Sequence, residues 1–118
     1  MFKFTDLLDL IQFFANEWCL PQNNILIVGN YDQHVKKIFD FINCETFFVN
    51  NGCLTDQTFF VQDLNDLPFQ EKSFDAIITL NEKFNKIYLK PGGVVLTNSE
   101  ILNAKEYFWL NNSIFSVC

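Results

Sequence analysis

Hydrophobic residues recur along this chain at helical spacing in some stretches and in unbroken runs in others. Leu7, Leu10, Ile11, Phe14 and Trp18 repeat every three or four residues, with Asp6, Asp9, Gln12 and Asn16 falling between them. That spacing predicts a helix from Thr5 to Trp18, capped by Thr5 or Asp6 and ended before Pro21. The next run, Ile25-Leu26-Ile27-Val28-Gly29, has no polar face and predicts a strand covered on both sides. Asp32 is placed to cap a second helix with Val35, Ile38, Phe39 and Ile42 on its apolar face. Four further strands are predicted at Phe47–Val49, Phe59–Val61, Phe74–Thr79 and Val94–Thr97. Between the last two, Glu82 to Leu89 reads as a short helix stopped by Pro91-Gly92-Gly93. Ile101 to Trp109 reads as a final helix, and Ser113 to Cys118 as a short edge strand.

Strands alternating with helices predict an α/β fold: a Rossmann-like three-layer sandwich, helices on both faces of a mostly parallel sheet of about five strands. No repeat, linker or low-complexity segment divides residues 1–118, so one domain is expected. One connection is short. Nine residues separate Val49 from Phe59, and they include Asn50-Asn51-Gly52. A helical crossover between parallel strands takes about a dozen residues or more, so this link is either an extended loop or an Asn-Gly hairpin. The parallel neighbours favour the loop.

Composition changes this picture in three ways. The chain is 49% hydrophobic and 17% aromatic, with 15 Phe. A domain of this size cannot hide so many rings, so either some lie at the surface as a partner-binding patch, or the core is simply Phe-rich. The formal charge is −6, every basic residue is lysine, and Lys36-Lys37 is the only adjacent basic pair. That argues against direct binding of DNA or RNA, which needs a positive footprint for phosphates. Cys19, Cys44, Cys53 and Cys118 have no C-x-x-C spacing and His34 is the single histidine, so no metal site is expected. The N-terminus is amphipathic, with no secretory pattern, and no apolar stretch nears the ~20 residues that span a bilayer. A cytoplasmic protein with reduced thiols, away from membranes, is the expectation.

Two segments carry a family resemblance. Asp63-Leu64-Asn65-Asp66-Leu67-Pro68-Phe69 leads through a short turn into Phe74-Asp75-Ala76-Ile77-Ile78, and Leu89-Lys90-Pro91-Gly92-Gly93 precedes Val94-Val95-Leu96. In this order and spacing the chain resembles the class I S-adenosylmethionine-dependent methyltransferases over roughly residues 5 to 100. The glycines and prolines of these motifs serve tight turns, so they speak for fold more than for chemistry.

The resemblance implies a ligand crevice at the carboxyl ends of the first strands, with S-adenosylmethionine as the cofactor. It places the cofactor contacts at Gly29, Asn30, Asn50, Asp63 and Leu64. Here the chain departs from the family. Its glycine-rich loop is reduced to Gly29-Asn30-Tyr31-Asp32-Gln33, and Asn50 stands where the family's acidic residue holds the ribose. An amide lacks the charged acceptor that makes such hydrogen bonds strong. Asp63 matches the family's acidic residue beside the adenine, although Asp63 and Asp66 equally suit turn caps around Leu67-Pro68.

No catalytic residue is assigned. Asn81 and Glu82 follow the fourth predicted strand, where the family handles the methyl acceptor, but they also fit a helix start. Beyond Glu100 the chain is too short for the family's final helix and β-hairpin together. His34 has no evident nucleophile to serve, and Cys53 has no neighbouring base.

The expectation is therefore a methyltransferase-like protein without activity that works by association with a protein partner or as a homodimer. A small active methyltransferase is the alternative. A receiver-like domain lacking its phosphoacceptor is more distant. Candidate interface residues are Phe13 and Trp18 on the first helix and Tyr107, Phe108, Trp109 and Phe115 in the tail. A sheet edge left open by missing terminal strands would also invite pairing.

Overall fold

The computed structural model describes residues 2–29, 33–50, 58–60, 69–79, 86–98 and 104–118. Helix α1 (Leu7–Trp18) begins at Asp6, whose carboxylate accepts from the Leu8 N–H at 2.8 Å, and it buries Leu10, Ile11, Phe14 and Ala15. Helix α2 (Gln33–Phe41) lies beside it and buries Val35 and Phe39. The apolar spacing read from the sequence thus marks the buried face of both helices.

The strands are β1 (Phe2–Phe4), β2 (Asn24–Val28), β3 (Glu45–Asn50), β4 (Thr58–Phe60), β5 (Phe74–Thr79), β6 (Leu89–Thr97), β7 (Glu106–Leu110) and β8 (Ser113–Val117). They form one sheet in the order β1-β7-β8-β6-β5-β2-β3-β4. Every pairing is parallel except the two made by β8, which runs antiparallel between β6 and β7. The α/β class and the mostly parallel sheet agree with the sequence, while the described residues give the sheet eight strands rather than about five. β3 and β4 pair in parallel, so their short connection is not a hairpin.

Side chains alternate between two cores across this sheet. Ile25, Ile27, Ala76, Ile78, Val94 and Leu96 face α1 and α2. Leu26, Val28, Ile77 and Val95 face the other way, onto Phe69, Phe74 and Tyr88. Among the described residues, both α-helices lie on the first face. A helix layer on the second face, part of the three-layer expectation, falls outside the described residues.

Several sequence expectations are corrected. Residues 106–110 are strand β7 and not the end of a helix. Tyr107, Phe108 and Trp109 are rings that suit a pleated surface, and Asn111, at φ +53°, turns the chain straight back into β8. Residues 113–117 are an interior strand and not an edge. The terminal hairpin is therefore present, and it covers the edge of β6 that its absence would have exposed. Phe108 and Phe115 are core residues, not interface candidates.

Lys86–Tyr88 is a single 3-10 turn and Leu89 already belongs to β6, so Pro91-Gly92-Gly93 lies within that strand instead of ahead of it. Phe74 pairs with Leu89 and Ala76 with Val94, so two steps along β5 face five along β6 and the glycine segment bulges out. The resemblance did not foresee β1, which pairs with β7 from Phe2↔Phe108 to Phe4↔Leu110.

Candidate functional site

The strand order reverses between β2 and β5, and in an open α/β sheet a ligand crevice forms at the carboxyl ends of the strands at such a point. Gly29 follows β2 there. It is buried, its φ is +111°, and its N–H donates to the Val49 carbonyl at 2.9 Å. Only glycine takes that backbone conformation without strain, which explains why the residue after this strand is glycine.

Val28 pairs with Val49, so Asn50 ends the adjacent strand beside Gly29, and Asn50 in turn pairs with Phe60 of β4. The structure thus brings the Gly29 and Asn50 backbones together at one rim. Asn30, Asp63, Leu64 and the side chain of Asn50 lie outside the described residues, as do Tyr31, Asp32, Cys53, Asn81 and Glu82.

The other half of the rim carries a feature that no motif signalled. Thr79 ends β5, Thr97 ends β6, and they pair with each other, while Thr97 also pairs with Ser116 of β8. All three hydroxyl residues are buried, on the face away from the helices. Among the described residues the Ser116 Oγ is shielded from water and has no hydrogen-bond partner. The sequence signal was faint: one polar residue closing each of two apolar runs.

The two resembling motifs meet at the opposite, amino end of the sheet. The Asp75 carboxylate accepts from the Asn24 N–H at 2.8 Å and faces the Lys90 ammonium at 3.3 Å. Asp75 thereby fixes the first residue of β2 against β5 and anchors the bulged strand. The "Phe-Asp" and "Lys-Pro-Gly-Gly" segments are one packing unit, remote from the carboxyl rim.

The described thiols are poor nucleophiles. Burial pushes the Cys19 thiol up to about 12, with the nearby Cys44 and Asp75 adding to the shift. Burial also raises Cys44, against a lowering backbone hydrogen bond from Asn23, and the Cys44 Sγ donates to the Leu20 carbonyl at 3.1 Å. Cys118 is raised by burial as well, opposed by Lys86 and Lys105. His34 sits exposed on α2. Among the described residues no group of three His, Cys, Asp or Glu side chains is arranged to hold a metal ion.

The Cys19 shift has a consequence for stability. A thiol with a folded value above its ordinary one near 9 stays protonated in the native state while the unfolded chain ionises. Stability is then fully present below about pH 9 and falls as the pH rises toward 12, by up to about 1.4 kcal/mol per pH unit. Urea denaturation at pH 7 to 11 should show this slope, and Cys19→Ala should flatten it. An unchanged slope in the variant would place the alkaline loss elsewhere.

No protein-family model and no curated protein matches the sequence. Solved structures do match. One is a chain of the complex between the Haloferax volcanii Trm112 methyltransferase activator and a protein assigned as a methyltransferase. It superposes with a TM-score of 0.54 at 17% identity, covering 73% of this chain and 49% of that one. Another is a protein from Methanococcus maripaludis assigned as an S-adenosyl-L-methionine-dependent methyltransferase. Its TM-score is 0.58 at 12% identity, covering 77% of this chain and 54% of that one. The chain has a methyltransferase-like fold, and the match spans about half the length of these neighbours. No helix among the described residues is long and apolar enough to cross a membrane.

Proposed function

We propose that this chain is a methyltransferase-like domain that does not transfer methyl groups and acts by associating with another protein. The observation that carries the reading is the rim at the switch point. Gly29 has a positive φ of +111°, but Tyr31 and Gln33 stand where the family's glycine-rich loop has small residues. The family counterpart of this loop admits the cofactor by lacking such side chains. Asn50 adds to this, because it offers an amide where a ribose is held by a carboxylate.

Association is supported by surface chemistry. Phe41 is 87% exposed at the end of α2 and Leu20 is 68% exposed after α1, beside a net charge of −6 that disfavours nucleic acid as the partner. One of the matching structures is a complex with a methyltransferase activator, which supports a protein as partner. The reading places the protein in the cytoplasm.

A small active methyltransferase is the second reading, favoured by Gly29 and by Asp63 after the third family strand. Its cofactor would be held by Gly29, Asn30, Asn50, Asp63 and Leu64, and would supply the activated methyl group. Calorimetric titration with S-adenosylmethionine and S-adenosylhomocysteine separates the two. No heat at millimolar ligand is the expected result. Saturable one-site binding that Asp63→Ala weakens at least about tenfold would overturn it in favour of the active enzyme.

A further inference from the structure

At the amino end of the sheet a cavity of about 210 Å³ opens between the end of α1 and the bulge of β6. Trp18, Leu20 and Val94 give it apolar wall, and Asp75 and Lys90 are the charged side chains that line it. At ~30 Å³ for each water in the liquid, the space is that of a small molecule and well below a dinucleotide.

The two charges decide what fits. The Lys90 Nζ stands 3.4 and 3.3 Å from the two Asp75 oxygens, longer than a tight charged hydrogen bond of about 2.7–2.9 Å. The Asp75 side chain is 24% exposed and the Lys90 side chain 42% exposed, so neither is closed off from solvent by the other. A lone anion seated here would meet the Asp75 carboxylate, and a lone cation would meet the Lys90 ammonium; either leaves a like charge facing it. A molecule bearing both signs pairs with both residues.

Gly92 leaves the bulge side open, since a Cβ there would meet nothing within 4 Å.

We infer that this cavity binds a free α-amino acid with a small apolar side chain. Its ammonium lies on Asp75, its carboxylate on Lys90, and its side chain against Leu20 and Val94. The site is at the opposite end of the strands from Gly29 and is independent of whether the carboxyl rim takes a cofactor.

The test is calorimetric titration of the full chain with L-leucine and L-methionine, beside 4-methylpentanoate and 3-methylbutylamine, which each keep one charge. Saturable one-to-one binding of an amino acid is expected, weaker by about tenfold or more for both single-charge analogues and in Lys90→Met. The unfolding midpoint of Lys90→Met is measured beside the parent's, and Leu20→Trp, which narrows the cavity from an exposed wall residue, is the second variant. No saturation at millimolar amino acid overturns the inference, as does equal binding of a single-charge analogue or binding unaffected by both variants. S-adenosylhomocysteine carries the same amino-acid group, so it is titrated against Lys90→Met too. Unchanged binding there reports the carboxyl rim, which separates a failure of this site from a failure of the non-catalytic reading.

Discussion

Phe108→Ala should lower stability by about 3–5 kcal/mol, enough to remove much of the 5–15 kcal/mol that holds an ordinary domain. The Phe108 ring is fully buried and meets Phe13 edge-on at 5.5 Å and Phe4 at 5.9 Å, with Phe4 and Phe13 themselves 5.6 Å apart. These three rings join β7, α1 and β1, so the truncation opens a void at a junction of three elements. For a chain of this length the midpoint of thermal unfolding should fall by about 10–20 °C. Phe41→Ala is the control: that ring is 87% exposed, and its loss should move stability by no more than about 0.5 kcal/mol. A Phe108→Ala shift as small as the control's would mean that residues 106–110 do not present this face to the core.

The second large effect separates two adjacent glycines. Gly93→Ala should cost about 1–3 kcal/mol, because a Cβ there would lie 2.6 Å from the Leu89 Cδ1 and 2.9 Å from the Asp75 carbonyl oxygen. The leucine tip can shift, but a backbone carbonyl inside a parallel sheet cannot. Gly92→Ala should cost about 1–2 kcal/mol for a different reason: its φ is +80° and the space around it is open. Asparagine tolerates a left-handed backbone, so Gly92→Asn should recover part of that loss, whereas Gly93→Asn should be worse than Gly93→Ala. Urea denaturation of the four variants tests this. Equal recovery by asparagine at both positions would mean that conformation, and not close approach, governs Gly93.

This pair also shows how much of the fold the sequence carried. The Lys-Pro-Gly-Gly segment was legible as a special turn, but its glycines were read as doing one job when they do two. α1 was legible from a helical period sustained over three turns, and β2 and β5 from short runs rich in β-branched residues. β7 was not, since Tyr107-Phe108-Trp109-Leu110 is an unbroken apolar run, and such a run does not by itself distinguish strand from helix. β1 has three residues, and what makes it a strand is a partner more than a hundred positions away. At the candidate site, Gly29 was legible from its place after a buried strand. The Thr79, Thr97 and Ser116 row was not, because its meaning comes from the register that lines up three separate strands.

The order β1-β7-β8-β6 has a consequence for how this chain reaches its shape. The β7–β8 hairpin closes over a two-residue turn and can form locally, but Phe2 must wait for Phe108. Pairings of such long sequence separation pay their loop-closure entropy before they are rewarded, which slows folding. During synthesis β6 emerges before the hairpin that will cover it, and for that interval it is a bare apolar edge open to any other strand. The hairpin's arrival closes that window, so the last described stretch of the chain also ends the period in which it is most prone to aggregate.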